Sequence, residues 1–465
     1  MALRVLHTSL VAPSPPLHHH RSVPLTYLDA MWLTAEPVQR LFFYRLAPDA
    51  EFAAIVANLT VSLSHTLHAF FPLAARLQPM PHTPNRYHLH YDPTEGASGV
   101  AFTVAEYDGA DVDHLASDDP REHAKLHPLV PRLPDGGAVL ALQATLLGRR
   151  RRGLALGVTV HHAACDGAAS THFLHTWAAA CAGVEPPPPP PVVDRGIIRD
   201  RKDLHDLFTT PRPASEAPDK DHDVESFFSQ APDPQQLLAT FTLSREQLQL
   251  VKDAVAGEAA RRGVPPPRCS STVATFAFVW RCHYQYQALK AKAAAESSGG
   301  DRAYLCFPVD HRPRLDPPVP DKYLGNCVGP CFASAPKKAL AAAGAEGLFA
   351  ACAGVAAAIE EAVRGEAGYW TGWLERVMEA CSDGQPLSVA GSPRFRVYDV
   401  DFGLGRPAKV DIVSVANTGA MSVAESRGSC SGGMEVGISL PPDAMDSFQR
   451  CFADAMASLQ SLHAS

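Results

Sequence analysis

The sequence predicts a mixed α/β protein built in two halves, and three observations carry that expectation. Apolar, strand-like runs pass repeatedly into stretches with helical spacing. The length of 465 residues exceeds what one ordinary core serves. Six consecutive prolines at 186–191 interrupt the chain before its midpoint and open a charged, weakly hydrophobic stretch. The division is therefore placed as residues 1–184, a proline-rich linker over 185–225, and residues 226–465.

Composition narrows the function before any motif is read. With 46% hydrophobic and 19% charged residues, the chain has the balance of a globular protein. Its formal charge of −8 argues against a nucleic-acid binder, which carries a basic face. Eleven cysteines without a CxxC pair fit free thiols in a reducing compartment. The opening MALRVLHTSLVAPSPP is broken by His7, Thr8 and prolines, so it makes no signal-peptide core. No apolar run approaches the roughly 18 residues of a membrane span. A cytoplasmic location, with neither membrane nor nucleic acid as partner, is the expectation.

Taken in order, residues 4–12 read as an edge strand and 38–44 as a second strand. Residues 53–71 carry Ile55, Leu59, Leu63, Leu67, Phe70 and Phe71 at helical spacing, and Pro72 stops them. Strand-like pieces follow at 87–91 and 100–104. Residues 139–147 and 154–160 form a predicted hairpin around Gly148 and the arginines at 149–152, and 168–182 read as a helix. Beyond the linker, 237–243 is a predicted strand and 244–257 a helix, with Ser244 and Gln247 set for a capping box. Helices are expected over 270–288, 348–363 and 443–462. Strands are expected over 303–309, 395–400, 412–416 and 434–440. Residues 288–302, rich in alanine and lysine, read as an insertion.

The chemistry concentrates where the strand at 154–160 ends, in His161, His162, Ala163, Ala164, Cys165, Asp166 and Gly167. A neutral imidazole at a strand-to-helix turn can take a proton from a hydroxyl near neutral pH. A carboxylate four residues on can orient the ring, or hold the loop through an arginine. A His-His pair merely packed at a strand end would look the same. Cys165 admits a Cys–His nucleophile, although a small thiol among alanines also serves as filler in a tight turn. Metal binding by His161, His162 and Asp166 lacks a distant Cys/His cluster or an H-E-x-x-H helix, so no metal is expected. The arginines at 149–152 fit either phosphate contact or a solvated turn. No G-x-S-x-G elbow is present. A histidine that deprotonates the substrate directly is then the simplest mechanism.

At this point the chain resembles the plant BAHD acyltransferases, which transfer acyl groups from coenzyme A thioesters. HHAACDG at 161–167 matches that family's HxxxD motif, and DFGLGRP at 401–407 its DFGWG motif. The likeness continues through PLTYLDAMW at 24–32, VQRLFFY at 38–44, SLSHTLHAFFPLAARL at 62–77, VLALQATLL at 139–147, STVATFAFVWRC at 271–282 and GGMEVGISL at 432–440. YLGNC at 323–327 and VAGSPRFRVYDVDFG at 389–403 resemble the branch that malonylates anthocyanin and phenolic glucosides. Leu404 stands where the second motif has tryptophan, and Leu324 where YFGNC has phenylalanine.

The resemblance implies a two-domain α/β fold of the chloramphenicol-acetyltransferase-like type, with mixed sheets, flanking helices and an active-site channel between domains. It implies His162 as general base and Asp166 as structural support of the loop, paired with Arg312 ahead of Arg314. It assigns Asp401, Phe402, Gly403 and Gly405 to the support of the fold. Malonyl-CoA is implied as co-substrate with no permanently bound cofactor, a small phenolic glycoside as acceptor, and a monomer as the working form. Ser271 and Thr272 open a helix and are candidates either for coenzyme A contact or for capping. A malonyl carboxylate requires a basic partner, which the sequence does not single out. A hydroxycinnamoyl donor is the alternative, and a non-catalytic ligand-binding relative the third reading.

Overall fold

Strand pairing joins the two halves of the chain instead of separating them. A computed structural model describes residues 3–94, 98–148, 152–210, 235–293, 300–364, 369–382, 386–428 and 432–464. The arginines at 149–151, the far part of the linker and the middle of the 288–302 insertion lie outside the described residues. One mixed six-stranded sheet runs Arg4–Val11, Val100–Tyr107, Leu140–Leu147, Gly153–Val160, Val38–Arg45, Lys409–Ile412. The second, seven-stranded, runs Val328–Pro336, Arg302–Asp310, Leu387–Ala390, Met421–Glu425, Met434–Leu440, Leu237–Leu243, Arg121–Glu122. Each sheet thus takes its last strand from the other half. A three-stranded sheet of Arg21–Pro24, Tyr87–Tyr91 and Arg76–Pro79 stands apart.

The predicted hairpin forms, and both of its strands are buried along their whole length. That is why they read as continuous apolar runs rather than alternating ones. Beside them, Val38–Arg45 alternates strictly. Phe42 and Tyr44 join the core made with the helices Phe52–Ala69 and Gly167–Ala182, while Leu41 and Phe43 join a smaller core on the opposite face. The helix Gly167–Ala182 supplies Phe173 and Trp177 to the first of these, and the Trp177 indole donates to the Leu59 carbonyl at 3.0 Å. In the second half Ser244 and Gln247 form the capping box of the helix Arg245–Arg262. The helices Ser271–Ala293, Gly344–Ala362 and Pro442–Ala464 complete that core. No helix among the described residues is long and apolar enough to cross a membrane.

Short strands such as Arg21–Pro24, Leu387–Ala390 and Met421–Glu425 are not expected from the sequence, and three further elements depart from it more sharply. Residues 395–400 form two 3₁₀ turns, Pro393–Phe395 and Val397–Asp399, instead of a strand. Arg396 between them has a left-handed backbone at φ 53°, which ends any extended run. The strand expected over 412–416 lies upstream at Lys409–Ile412, because Ser414 turns into a helical segment, Val415–Thr418. Val328–Pro336 is a strand that its Gly329, Pro330 and Pro336 disguise as loop. It occupies a sheet edge, where a missing N–H is tolerated.

Part of the segment after the prolines is also ordered. Val192 bridges to Tyr323, and the helix Lys202–Thr209 buries Leu204 in the same core as Tyr27 and Leu28.

Candidate active site

His162 stands in the turn that follows Gly153–Val160, in a 3₁₀ segment His162–Ala164. The turn is set by its neighbour, since the Nδ1 of His161 accepts from the Ala163 amide at 3.2 Å. His161 therefore works as a cap, and His162 is left facing a cavity lined by Val38, Val158, Val160 and Ser170 among others. The residue is half-buried overall, yet its Nδ1 is sealed from solvent and has no hydrogen-bond partner. The Trp32 indole stacks on the ring with centroids 3.9 Å apart and planes 17° from parallel. Burial pushes the imidazole down to about 4, against weaker raising influences from Asp166 and the Asn326 side chain. The ring is therefore neutral at physiological pH. It can accept a proton, and the Trp32 face lies where the resulting positive charge would form.

Asp166 points away from the ring. It caps the helix Gly167–Ala182, its Oδ1 accepting from the Ala169 amide at 3.0 Å. The same carboxylate takes Arg312 in a fork, Nη1 to Oδ2 at 2.9 Å and Nη2 to Oδ1 at 3.0 Å. It also accepts from the Cys327 amide at 3.0 Å, and its own amide donates to the Gly325 carbonyl at 3.3 Å. Four bonds thus tie the histidine loop to the other half, two to Arg312 and two to YLGNC. Arg314, by contrast, donates to the Asp310 carbonyl and is half-buried.

The remaining sequence candidates separate by position. Asp401 Oδ1 accepts from the amides of Gly403, Leu404 and Gly405 at 2.8, 2.9 and 2.9 Å. This tight loop needs φ of 82° and 84° at its two glycines. Phe402 packs edge-on against Trp177 at 4.7 Å, and the loop lies by Ala182 at the C-terminal end of the helix that Asp166 begins. Sixteen helical residues place that end about 24 Å away along the axis. Leu404 packs, partly buried, on the core of the first half. Ser271 accepts from Lys252 at 3.0 Å, and Ser270 rather than Ser271 caps the helix. Neither Ser271 nor Thr272 lines the His162 cavity. Cys165 is buried beside Asp166, and both effects push its thiol up to about 12, so it stays protonated and a poor nucleophile. Among the described residues no group of three His, Cys, Asp or Glu is placed to hold a metal.

Sequence reasoning missed the groups that reach this loop from a distance. Asn326 donates to the His162 carbonyl at 2.9 Å, and its own amide and side chain both donate to Asp29 at 2.9 Å. Asp29 in turn pairs with the buried Arg195 at 3.2 Å. Trp32 and Asp29 lie in PLTYLDAMW, which the sequence offered only as a flank. A carboxylate in an apolar helix start was the available signal.

The transferase family profile matches residues 1–455 of the chain. Phenolic glucoside malonyltransferase 1 of Arabidopsis thaliana is 34% identical, with 96% of each chain covered. The chain belongs to the BAHD acyltransferase family. As a BAHD member it is an acyltransferase that takes acyl-CoA as co-substrate. A second relative, coumaroyl-CoA:anthocyanidin 3-O-glucoside-6''-O-coumaroyltransferase 1 of the same plant, is 30% identical over 96% of each chain. Among solved structures, vinorine synthase shares the fold with a TM-score of 0.67 at 21% identity, covering 96% of each chain. The two-domain α/β acyltransferase fold expected from the sequence is the one observed.

The depressed histidine gives a measurable consequence for this BAHD enzyme. A base whose pKa falls from 6.5 to about 4 stays deprotonated as the pH drops, and is lost only near the lower value. The acid limb of kcat/KM against pH should therefore fall close to pH 4, not near 6.5. A limb at the ordinary histidine value would show that the ring is solvated in the working enzyme.

Proposed function

We propose that this enzyme transfers a malonyl group from malonyl-CoA to a sugar hydroxyl of a phenolic or flavonoid glucoside, with His162 as general base. The observation that carries the chemistry is a neutral, sealed imidazole opening on a cavity, in a loop that Asp166 and Arg312 hold. The Nδ1 edge faces the protein interior, which leaves Nε2 as the basic atom toward substrate. Nε2 takes the hydroxyl proton and the oxygen attacks the thioester carbonyl. The tetrahedral adduct collapses, the C–S bond breaks, and the imidazolium returns its proton to the CoA thiolate. Asp166 has no part in proton transfer in this reading; it shapes the loop. Asp401, Phe402, Gly403 and Gly405 support the fold from the far end of the helix.

The donor and acceptor are supported by the malonyltransferase relative at 34% identity. A coumaroyl donor is the second reading, supported by the relative at 30% identity. In either case residues 1–184 carry the histidine loop, residues 226–465 carry YLGNC and DFGLG, and 185–225 connects them. The enzyme works as a cytoplasmic monomer, with Ser271 and Thr272 as candidate coenzyme A contacts. Incubating the purified protein with malonyl-, acetyl- and coumaroyl-CoA and one flavonoid glucoside, with mass detection of product, tests the donor. Malonylated glucoside as the main product is expected. A coumaroylated product in its place would overturn the malonyl reading.

A further inference from the structure

One buried cation that the mechanism above leaves unused is Arg40. It sits on Val38–Arg45 in register with Phe42 and Tyr44, on the face those residues turn toward the core, and it is only 5% exposed. A cation in that register is costly unless something compensates it. Three other buried arginines have a carboxylate: Arg121 has Asp411, Arg195 has Asp29 and Arg312 has Asp166. Arg281 donates to the Ala342 carbonyl. Arg40 has no carboxylate within ion-pair distance among the described residues. Its hydrogen bond is to the Thr171 hydroxyl, 2.9 Å from Nη1, and the Phe395 ring lies 5.8 Å from its guanidinium carbon.

Both contacts hold the guanidinium still. Thr171 donates its own hydrogen to the Gly167 carbonyl at 2.7 Å, so its lone pair is left for Arg40. Gly167 keeps the adjoining space open, since a Cβ there would come within 2.7 Å of the Phe395 ring and 3.5 Å of Arg40 Nη2. Arg40 lines the cavity that His162 lines, whose other walls include Val38, Val158, Val160 and Asp166, and it also borders a second pocket with Phe395 and Asp411. A fixed cation with no ion-pair partner among the described residues, and with Asp166 acting on it only from longer range, therefore shares one cavity with a base.

We propose that Arg40 binds the free carboxylate of a dicarboxylic acyl donor, and so selects malonyl-type donors over neutral ones. The inference rests on the malonyl reading above and gives the donor its anchor. A malonyl thioester carries its carboxylate one methylene beyond the reacting carbonyl, and a guanidinium can take both oxygens in a fork. The ligand then supplies a carboxylate in direct contact, where Asp166 acts on the guanidinium only from beyond ion-pair distance. An acetyl group offers none. Burial lowers the arginine only to about 10, so the cation is present at neutral pH.

The test compares kcat/KM for malonyl-CoA and acetyl-CoA, with one glucoside acceptor, in wild type, Arg40→Gln, Arg40→Lys and Thr171→Val. The malonyl-to-acetyl ratio should fall about 50-fold or more in Arg40→Gln, the scale of a charge-assisted pair lost from a buried site. Arg40→Lys should keep part of the ratio, because the charge remains without the fork, and Thr171→Val should lower it less than Arg40→Gln does. If Arg40→Gln does not fold, the other two variants decide, and an unchanged ratio in both overturns the proposal. A wild type that favours malonyl-CoA, with a ratio unmoved in Arg40→Gln, overturns the Arg40 assignment alone. Equal losses with both donors do the same, because they mark a structural or coenzyme-binding role. A wild type that uses acetyl-CoA but not malonyl-CoA overturns the donor reading itself, and the anchor falls with it.

Discussion

Replacing His162 with alanine should lower kcat by about 10²–10⁴-fold, the range that a positioned general base contributes. The unfolding midpoint should barely move. The imidazole Nδ1 makes no hydrogen bond that could be lost, and the loop around it is fixed by Asp166 and by Asn326 on the His162 carbonyl. Two neighbours supply the contrast. His161→Ala removes the acceptor for the Ala163 amide, so it should loosen the turn and cost less rate than the His162 change. Cys165→Ser should keep most of the activity, because a thiol pushed up to about 12 is not a nucleophile at neutral pH. Steady-state rates and thermal melts of the three variants, measured together, separate these roles. A His162→Ala enzyme at full rate would move the chemistry elsewhere. A dead Cys165→Ser enzyme would revive the covalent route.

What the sequence made legible follows from where each signal lives. His162 and Asp166 are four residues apart at a strand end, so a local motif exposes both. The hairpin behind them is equally local, two apolar runs around one short turn. Trp32 and Asp29 reach the same loop from another part of the chain, where nothing local marks the meeting point, and Asn326 stands in YLGNC, which the sequence offered as a likeness without a role. Arg40 lies between these cases. Once Phe42 and Tyr44 are taken as core, strict alternation puts Arg40 on the buried face, and a charge there was the available clue. VQRLFFY reads as an apolar strand only if that alternation is ignored. The misplaced elements have a similar cause. Residues 395–400 hold apolar residues at strand-like spacing, and only the left-handed Arg396 breaks the run. Val328–Pro336 is edge-placed, and edges tolerate the prolines that argue against a strand.

Arg312→Ala should be the most destabilising single change around the site, by about 3–5 kcal/mol, the cost of leaving one member of a buried ion pair alone. The side chains are 3% and 0% exposed, so water does not replace the lost partner. Arg314→Ala, two positions on, should cost about 1 kcal/mol or less, since it removes a half-buried side chain held by one backbone carbonyl. The difference follows from what the pair joins. Asp166 and Arg312 are 146 residues apart, and their fork aligns the histidine loop with the segment that carries Gly325, Asn326 and Cys327. Losing it frees the Cys327 amide and the Asn326 contact to slide, so kcat should fall along with stability although Arg312 touches no reacting atom. Asp166→Asn combined with Arg312→Gln should recover part of the stability lost in Arg312→Gln alone, because neither buried group is then charged. Denaturation midpoints for the single and double variants form the cycle that measures this coupling. Equal losses in Arg312→Ala and Arg314→Ala, or no coupling in the cycle, would mean that the loop is held by its helix cap and not by the latch between the halves.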